Sequence, residues 1–438
     1  MVTGGLSTPI PKSLSGIFRY DRSTTSEEGG TMKGALSGIR VLDLSRFVAG
    51  PYCAMILADM GAEVIKIERP GPGEVARGIE PGVDGQSYYS FVVNRNKLGL
   101  TLDYRQPAGR DLLRELVAEA DVLVENFRPG VMEAMGCGWD VLSTINPRLV
   151  MARISGFGQS GPLANKQCFD AVAQAMSGLM EMTGDPAGPP MLTGTTVIDY
   201  TTGMYAAMGV LAAINARHQT GQGQVVDVAL LDSAVSLLLS AIPERAHSDT
   251  PITRRGNRDR FCAPSNTFQT RDRRWVLINC ADDPMFERLA VAMGWPDLVS
   301  DPRFESRPRR VENRDRIEAM TGQWVAGLTA REVEAMLEHA NVPCAVVATV
   351  DDVLENEQLR HRGQIAEVTH QSGEKVVTQG VTMQLSDTPL SIRSALPYVG
   401  EHSGQVLSSW LGYSEQRIGA LAEQGIISVT RSEKHYAS

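Results

Sequence analysis

The sequence has little that would bind a metal, build a disulfide framework or face a nucleic acid. Its 438 residues hold six cysteines, Cys53, Cys137, Cys168, Cys262, Cys280 and Cys344, with no C-x-x-C pair and no Cys/His cluster. That spacing offers no tetrahedral zinc set, so no metal is expected, and it fits the reduced thiols of a cytoplasmic protein. A net charge of −9 denies the chain the broadly basic surface that phosphate backbones require. No P-loop occurs. The G-x-G-x-x-G fingerprint is also missing from the first strand–helix turn, which offers only Ala49-Gly50-Pro51, so a nicotinamide or flavin pyrophosphate cradle is not expected. Long apolar runs are missing too. The longest, Met204 to Ala216, is too short to span a bilayer. Residues 1–34, rich in Gly, Ser, Thr and Pro, lack the apolar core of a secretory signal and read as a flexible tail.

What is present is an alternation of strand and helix signals. Arg40 to Leu44 and Glu63 to Glu68 read as strands, separated by a loop from Ser45 to Pro51 and a helix from Tyr52 to Met60. A strand, a helix and a parallel strand make a Rossmann-like unit. A helix over 107–120, strands over Asp121–Val124, Leu149–Ile154 and Val225–Leu230, and helices near 171–181 and 200–218 continue it. The expected fold class is α/β, with a Rossmann-like open parallel sheet as the large domain over 35–242. Ligands of such sheets bind where strands end and loops begin. A Pro-, Arg-, Asp- and His-rich linker over 243–262 leads to a smaller α+β domain over 263–363. Its signals are a hairpin of Asn266–Thr270 with Trp275–Ile278, helices near 284–293, 311–327 and 330–340, and a strand from Cys344 to Val347. Residues 364–438 form a C-terminal segment expected to return to the large domain, with a strand at Lys375-Val376-Val377 and helices over Gln405–Leu411 and Glu415–Glu423.

Asp170 is the candidate on which function turns. It opens the apolar run Ala171 to Met180, which closes on Thr183-Gly184-Asp185-Pro186. Two readings are open: an aspartate that caps a helix N-terminus, or a carboxylate nucleophile able to form an acyl anhydride. The local sequence alone favours the cap. Asp199, ahead of a long helix, is another cap candidate with an active-site alternative. Arg69, after Glu68, and Lys97, ending Asn94-Arg95-Asn96-Lys97, are phosphate contacts or solvated charges. Asn126-Phe127 after a strand is an adenine pocket, or Phe127 is core. No histidine lies near Asp170, so a Ser-His-Asp arrangement has no local support. Cys168 reads as a small buried hydrophobe.

The ordered motifs Leu36 to Ser45, Ala49-Gly50-Pro51, Leu57 to Glu68, Asn94 to Lys97, Val124 to Gly130, Gly156 to Pro162, Thr220 to Gln224 and Gly400-Glu401-His402 together resemble the class III CoA-transferases of the CaiB/BaiF type. That family groups formyl-CoA and carnitine CoA-transferases with α-methylacyl-CoA racemases, and the resemblance spans about residues 34 to 425. It implies an interlocked homodimer that takes acyl-CoA and a small carboxylic acid as substrates, with no tightly bound cofactor and no nucleic-acid or membrane partner. By position it places the nucleophile at Asp170 and CoA-loop contacts at Val48 and Ala49. Phosphate- or adenine-side contacts fall at Arg69 and Lys97, the adenine pocket at Asn126 and Phe127, and further CoA contacts at Met135 and Phe157. Ala134 and Ser155 depart from the Arg and Lys that some members carry there. No glycine-rich loop of the kind that covers an oxalate site is found between Arg255 and Asn266. The racemase branch has a histidine immediately before the aspartate matching Asp170; here that position is Phe169, which moves no proton. The expected reaction is therefore transfer of CoA from a short acyl-CoA, such as succinyl-CoA, to a free acid through aspartyl anhydride and thioester intermediates. A racemase and a non-catalytic CoA-binding protein are the alternatives. Arg254, Arg255 and Arg258 are candidates for the distal carboxylate of a dicarboxylic acceptor, with solvent exposure as their alternative.

Overall fold

Six short segments pair edge to edge; all but Lys97–Thr101, whose two leucines share one face, carry apolar side chains on both faces, which only a covered parallel sheet can bury. They are β1 (Arg40–Asp43), β2 (Glu63–Glu68), β3 (Lys97–Thr101), β4 (Val122–Glu125), β5 (Val150–Ser155) and β6 (Val225–Ala229). All neighbours are parallel, in the order β3-β2-β1-β4-β5-β6. This is the doubly wound order, whose switch point lies between β1 and β4. The computed structural model describes residues 34–249 and 251–429; residues 1–33 of the expected N-terminal tail and the last nine residues lie outside them.

Side chains alternate across the sheet with the strand period of two. Leu42, Ile65, Leu100, Leu123 and Met151 point to one face, where they pack with the helices Pro107–Ala118, Ser403–Leu411 and Glu415–Glu423. Val41, Val64, Val122, Val150 and Ala152 point to the other, under the helices Ala49–Asp59 and Val197–Thr220. The last of these runs 24 residues, longer than its sequence suggested. By length and composition alone it would cross a membrane, but its inner face is buried against the sheet. It approaches the start of the Ala49–Asp59 helix so closely that a Cβ on Gly203 would lie 2.7 Å from the Ala49 carbonyl oxygen.

A second core, built on Phe268, Val276, Ile278, Phe286, Leu289, Ile317, Val333 and Leu337, belongs to an antiparallel sheet. There β7 (Ser265–Gln269) and β8 (Trp275–Asn279) form the expected hairpin and β9 (Cys344–Val346) pairs with β8. A separate ladder of β10 (Ile365–Thr369) with β11 (Lys375–Gln379) packs on Phe91 and Leu396.

Four details differ from the sequence reading. The helix after β1 begins at Ala49, not Tyr52: Pro51 sits in its first turn, where a missing N–H breaks no bond. The helix expected over 171–181 is two, Asp170–Ser177 and Leu179–Met182, divided where Gly178 takes φ +91°. The helix expected over 311–327 is likewise two, Arg307–Glu312 and Arg314–Ala326. Strand β3 was not anticipated, because Lys97 and Gly99 disguise it. Gly99 is needed there, since its N–H donates to His402 Nδ1 at 3.1 Å, its carbonyl accepts from the His402 N–H at 2.8 Å, and a Cβ would lie 2.7 Å from the Tyr398 carbonyl.

Candidate active site

At the switch point the loops after β1 and β4 part, and the crevice between them is the site. The β1 loop is held by side chains at almost every backbone group. Asp43 accepts the Ser45 N–H at 3.0 Å, Lys66 donates to the Ser45 carbonyl, and Glu74 accepts the Phe47 N–H at 2.9 Å. Asn126 accepts the Arg46 N–H at 2.8 Å and donates to the Arg46 carbonyl at 2.7 Å. These bonds hold Phe47 at φ +64°, a left-handed conformation that disfavours a non-glycine residue by about 1–2 kcal/mol.

A charge network lies beneath this loop, fully buried. Asp43 pairs with Lys97 at 2.8 Å and with Lys66 at 3.8 Å, and Lys66 also reaches Glu74 at 3.4 Å. Lys97 donates to Asp43, to the Pro51 carbonyl and to Asn94 Oδ1, each at 2.8 Å. An ammonium has three protons, and all three are engaged. Burial pushes Lys97 down to about 8 against the opposing pull of Asp43. Lys97 therefore stands as a cation under the loop, with its protons engaged inside the chain and not turned toward the cavity where a phosphate- or adenine-side contact was expected.

The cavity, about 270 Å³, is walled by Arg46, Phe47, Val48 and Ala49 on one side and by Asn126 and Phe127 on another. Ser155, Gly156, Lys166, Cys168, Phe169 and Asp199 complete it. A side chain at position 156 would not fit, since a Cβ there would lie 2.2 Å from Cys168 Cβ. Val48, the N-cap of the Ala49–Asp59 helix, makes no side-chain cap, so the first N–H groups of that helix start at the cavity wall without one.

Asp170 is the first residue of its helix, not its cap; the cap position is Phe169, which has no side-chain hydrogen bond. Its carboxylate instead crosses to the long helix Val197–Thr220, whose own N-cap, Thr196, also lacks a side-chain bond. Oδ1 accepts the N–H groups of Ile198 at 2.7 Å and Asp199 at 3.2 Å, and Oδ2 accepts Gln174 Nε2 at 2.6 Å. Gln174 is fixed in turn by Thr193, donating to its hydroxyl at 3.2 Å and accepting its N–H at 3.1 Å. Asp170 is 6% exposed, next to two wall residues, Phe169 and Asp199. Phe169 is 59% exposed and meets Phe47 edge to face, with ring centres 5.5 Å apart. No donor among the described residues meets the Asp199 side chain. Burial, and then the charge of Asp170, raise Asp199 to about 7. Burial pushes the half-buried Cys168 thiol up to about 11, which leaves it a protonated wall residue and not a nucleophile.

The other predicted residues divide. Val48, Ala49, Asn126 and Phe127 come together on the cavity wall, although both polar ends of the Asn126 amide are occupied by Arg46. Arg69 is exposed in an adjoining depression shared with Arg46 and Tyr104. Phe157 does not line the cavity; the ammonium of the wall residue Lys166 lies 5.9 Å from its ring centre. Met135 packs against the core and does not line the cavity. Arg254 pairs with Glu181 at 2.8 Å, its Nε without a hydrogen-bond partner among the described residues, and Arg258 pairs with Asp315 at 2.8 Å and Glu318 at 2.7 Å. Arg255 lines a separate depression with His247 and Arg260. Sequence reasoning missed Arg46, Lys166, Gln174 and Thr193. Only Gln174 had left a signal: it stands four residues after Asp170, one helical turn along the same face. Among the described residues no group of three His, Cys, Asp or Glu is placed to hold a metal ion.

Comparison with known proteins follows the same lines. The sequence model of CoA-transferase family III matches residues 36–403. A succinyl-CoA–D-citramalate CoA-transferase of Chloroflexus aurantiacus is 37% identical over 395 residues, 90% of this chain and 98% of that protein. The beta subunit of a succinyl-CoA–L-malate CoA-transferase from the same organism is 37% identical over 404 residues, 91% of this chain and 100% of that protein. The crystal structure of a CAIB/BAIF family protein from Brucella suis superposes with a TM-score of 0.78 at 33% identity, over 86% of this chain and 100% of that one.

Proposed function

The chain belongs to CoA-transferase family III and is a CoA-transferase, and from that premise we propose that it moves CoA from succinyl-CoA or a similar short acyl-CoA to a small dicarboxylic acid through covalent intermediates on Asp170. One observation carries the covalent step. The Asp170 carboxylate is almost buried beside the cavity and is oriented by three N–H donors from two helices. A nucleophile held by donors that are themselves fixed needs little reorganisation to attack.

In the proposed sequence an Asp170 oxygen attacks the thioester carbonyl, the C–S bond breaks, and the CoA thiolate leaves an aspartyl–acyl anhydride. The thiolate attacks the aspartyl carbonyl, releasing the donor acid and forming an aspartyl–CoA thioester. The acceptor carboxylate attacks that thioester, its C–S bond breaks and the thiolate leaves an aspartyl–acceptor anhydride; the thiolate then attacks the acceptor's acyl carbonyl, giving the new acyl-CoA and freeing the Asp170 carboxylate. Anhydrides hydrolyse, so water must be kept out; the aromatic pair Phe47–Phe169 at the cavity wall suits that need. Val48 and Gly156 line the cavity, and their N–H groups are the donors we assign to the oxyanions. The two Chloroflexus relatives share succinyl-CoA in their names and differ in the second acid, which supports the choice of donor more than that of acceptor. Two-base racemisation has less support, because Phe169 stands beside Asp170 where a second base is needed. CoA in this scheme is a substrate and not a resident cofactor.

The same reading includes a homodimer of interlocked chains. Met204, Tyr205 and Met208 on the outer face of the Val197–Thr220 helix are 43%, 38% and 53% exposed, an apolar surface suited to a second copy. The direct test of the site is Asp170→Ala. Transfer from succinyl-CoA is expected to fall to background while CoA binding measured by calorimetry stays within about threefold, since the variant removes one carboxylate that caps a helix. Substantial residual turnover would remove Asp170 from the chemistry.

A further inference from the structure

We infer that Arg46 binds the diphosphate of the CoA thioester, a role that rests on the CoA-transferase reading and adds a binding residue to it. Arg46 is the residue common to the cavity beside Asp170 and to the adjoining depression that holds Arg69 and Tyr104. A thioester whose reactive carbon reaches Asp170 runs its pantetheine arm along that cavity, and its nucleotide end passes Arg46.

The side chain is placed for an anion that is not part of the chain. Asn126 clamps both backbone groups of Arg46, and the guanidinium lies over the Phe127 ring at 5.1 Å. Its Nε is buried and has no hydrogen-bond partner among the described residues. The nearby acids are engaged elsewhere. Glu74 holds the Phe47 N–H and Lys66, and Glu68 is gripped by Arg77 at 2.6 and 2.7 Å. No carboxylate of the described chain forms an ion pair with Arg46. A planar guanidinium with an unfilled fork, stacked on a ring and sharing a depression with a second arginine, matches the paired phosphoryl groups of a diphosphate. Asn126 and Phe127 thus act on CoA through Arg46: the amide fixes its backbone and the ring supports its guanidinium.

The test compares succinyl-CoA, succinyl-3′-dephospho-CoA and succinyl-pantetheine as donors for wild-type protein, Arg46→Gln and Arg46→Lys, each as the full chain. Arg46→Gln is expected to raise KM for succinyl-CoA about 10-fold or more, with kcat within about twofold. The same penalty is expected with the 3′-dephospho donor and none with succinyl-pantetheine, which has no phosphate; Arg46→Lys should recover part of it. An equal penalty on succinyl-pantetheine would make Arg46 a structural residue and overturn the assignment. Loss of the penalty with the 3′-dephospho donor would move the contact to the 3′-phosphate and overturn it as well, as would no penalty at all. If the wild-type chain turns over none of these donors, the choice of a succinyl donor fails. Calorimetry with CoA then still decides the inference: about 10-fold weaker binding by Arg46→Gln supports it, and equal binding overturns it.

Discussion

At the scale of single residues, Asp199 bears the electrostatic consequence of lying next to Asp170. It sits at the cavity with no donor among the described residues, and burial followed by its neighbour's charge raises it to about 7. An unfolded aspartate titrates near 3.9. Between about pH 4 and pH 7 the folded chain therefore holds a proton that the unfolded chain has lost, and this group's contribution to stability declines as pH rises through that window. Asp199→Asn keeps the neutral shape at every pH. The variant is expected to melt near wild type at pH 4 and well above it at pH 8, with removal of up to about 4 kcal/mol of penalty. Equal melting temperatures at both pH values would refute the assignment. Asp170 itself was legible as a choice between cap and nucleophile, and the structure shows why local sequence did not separate them. It is a capping carboxylate, but for a helix that begins 27 residues later. The partner of a long-range cap leaves no pattern near the residue that makes it.

At the scale of elements, the loop after β1 and the buried charges under it form one device. Lys97, Asp43, Lys66 and Glu74 lock the loop that carries Arg46, Phe47 and Val48 into the crevice. Removing one member of a buried ion pair leaves a charge without its counterion, at a cost of about 3–5 kcal/mol. Lys97→Met is thus expected to lower stability by that amount in denaturant unfolding, while the folded variant binds CoA within about threefold of wild type. A large loss of CoA affinity without loss of stability would restore Lys97 as a ligand contact. From sequence, Lys97 looked like a surface phosphate binder because a charged residue at a strand end is usually solvated. Its burial depends on Asp43 and Asn94 converging on it from other elements, and that information is tertiary. Strand β3 escaped notice for the same reason, as its Gly99 makes sense only once the 398–402 segment lies against it. Strands β1, β2 and β5 were legible because their apolar runs are buried on both faces whatever lies beside them.

At the scale of the whole molecule, the doubly wound sheet brings the ends of β1, β4 and β5 to one crevice, so residues far apart in sequence share a wall. That convergence was foreseeable from the alternation of strands and helices, as was the return of the C-terminal segment to the large domain; that its two helices cover one face of the sheet only is a matter of packing that the sequence does not carry. The exposed apolar face of the Val197–Thr220 helix predicts a dimer of about 95 kDa, twice the 47.5 kDa chain, in light scattering. A monomer at micromolar concentration would contradict it.

The central claim is the covalent role of Asp170. The most direct measurement incubates the protein with succinyl-CoA, quenches with hydroxylamine and locates the modified residue by peptide mass spectrometry. An aspartyl hydroxamate is expected at Asp170, dependent on succinyl-CoA and lost when the donor is omitted. Active transfer with Asp170 unmodified, or with the label on another residue, would contradict it.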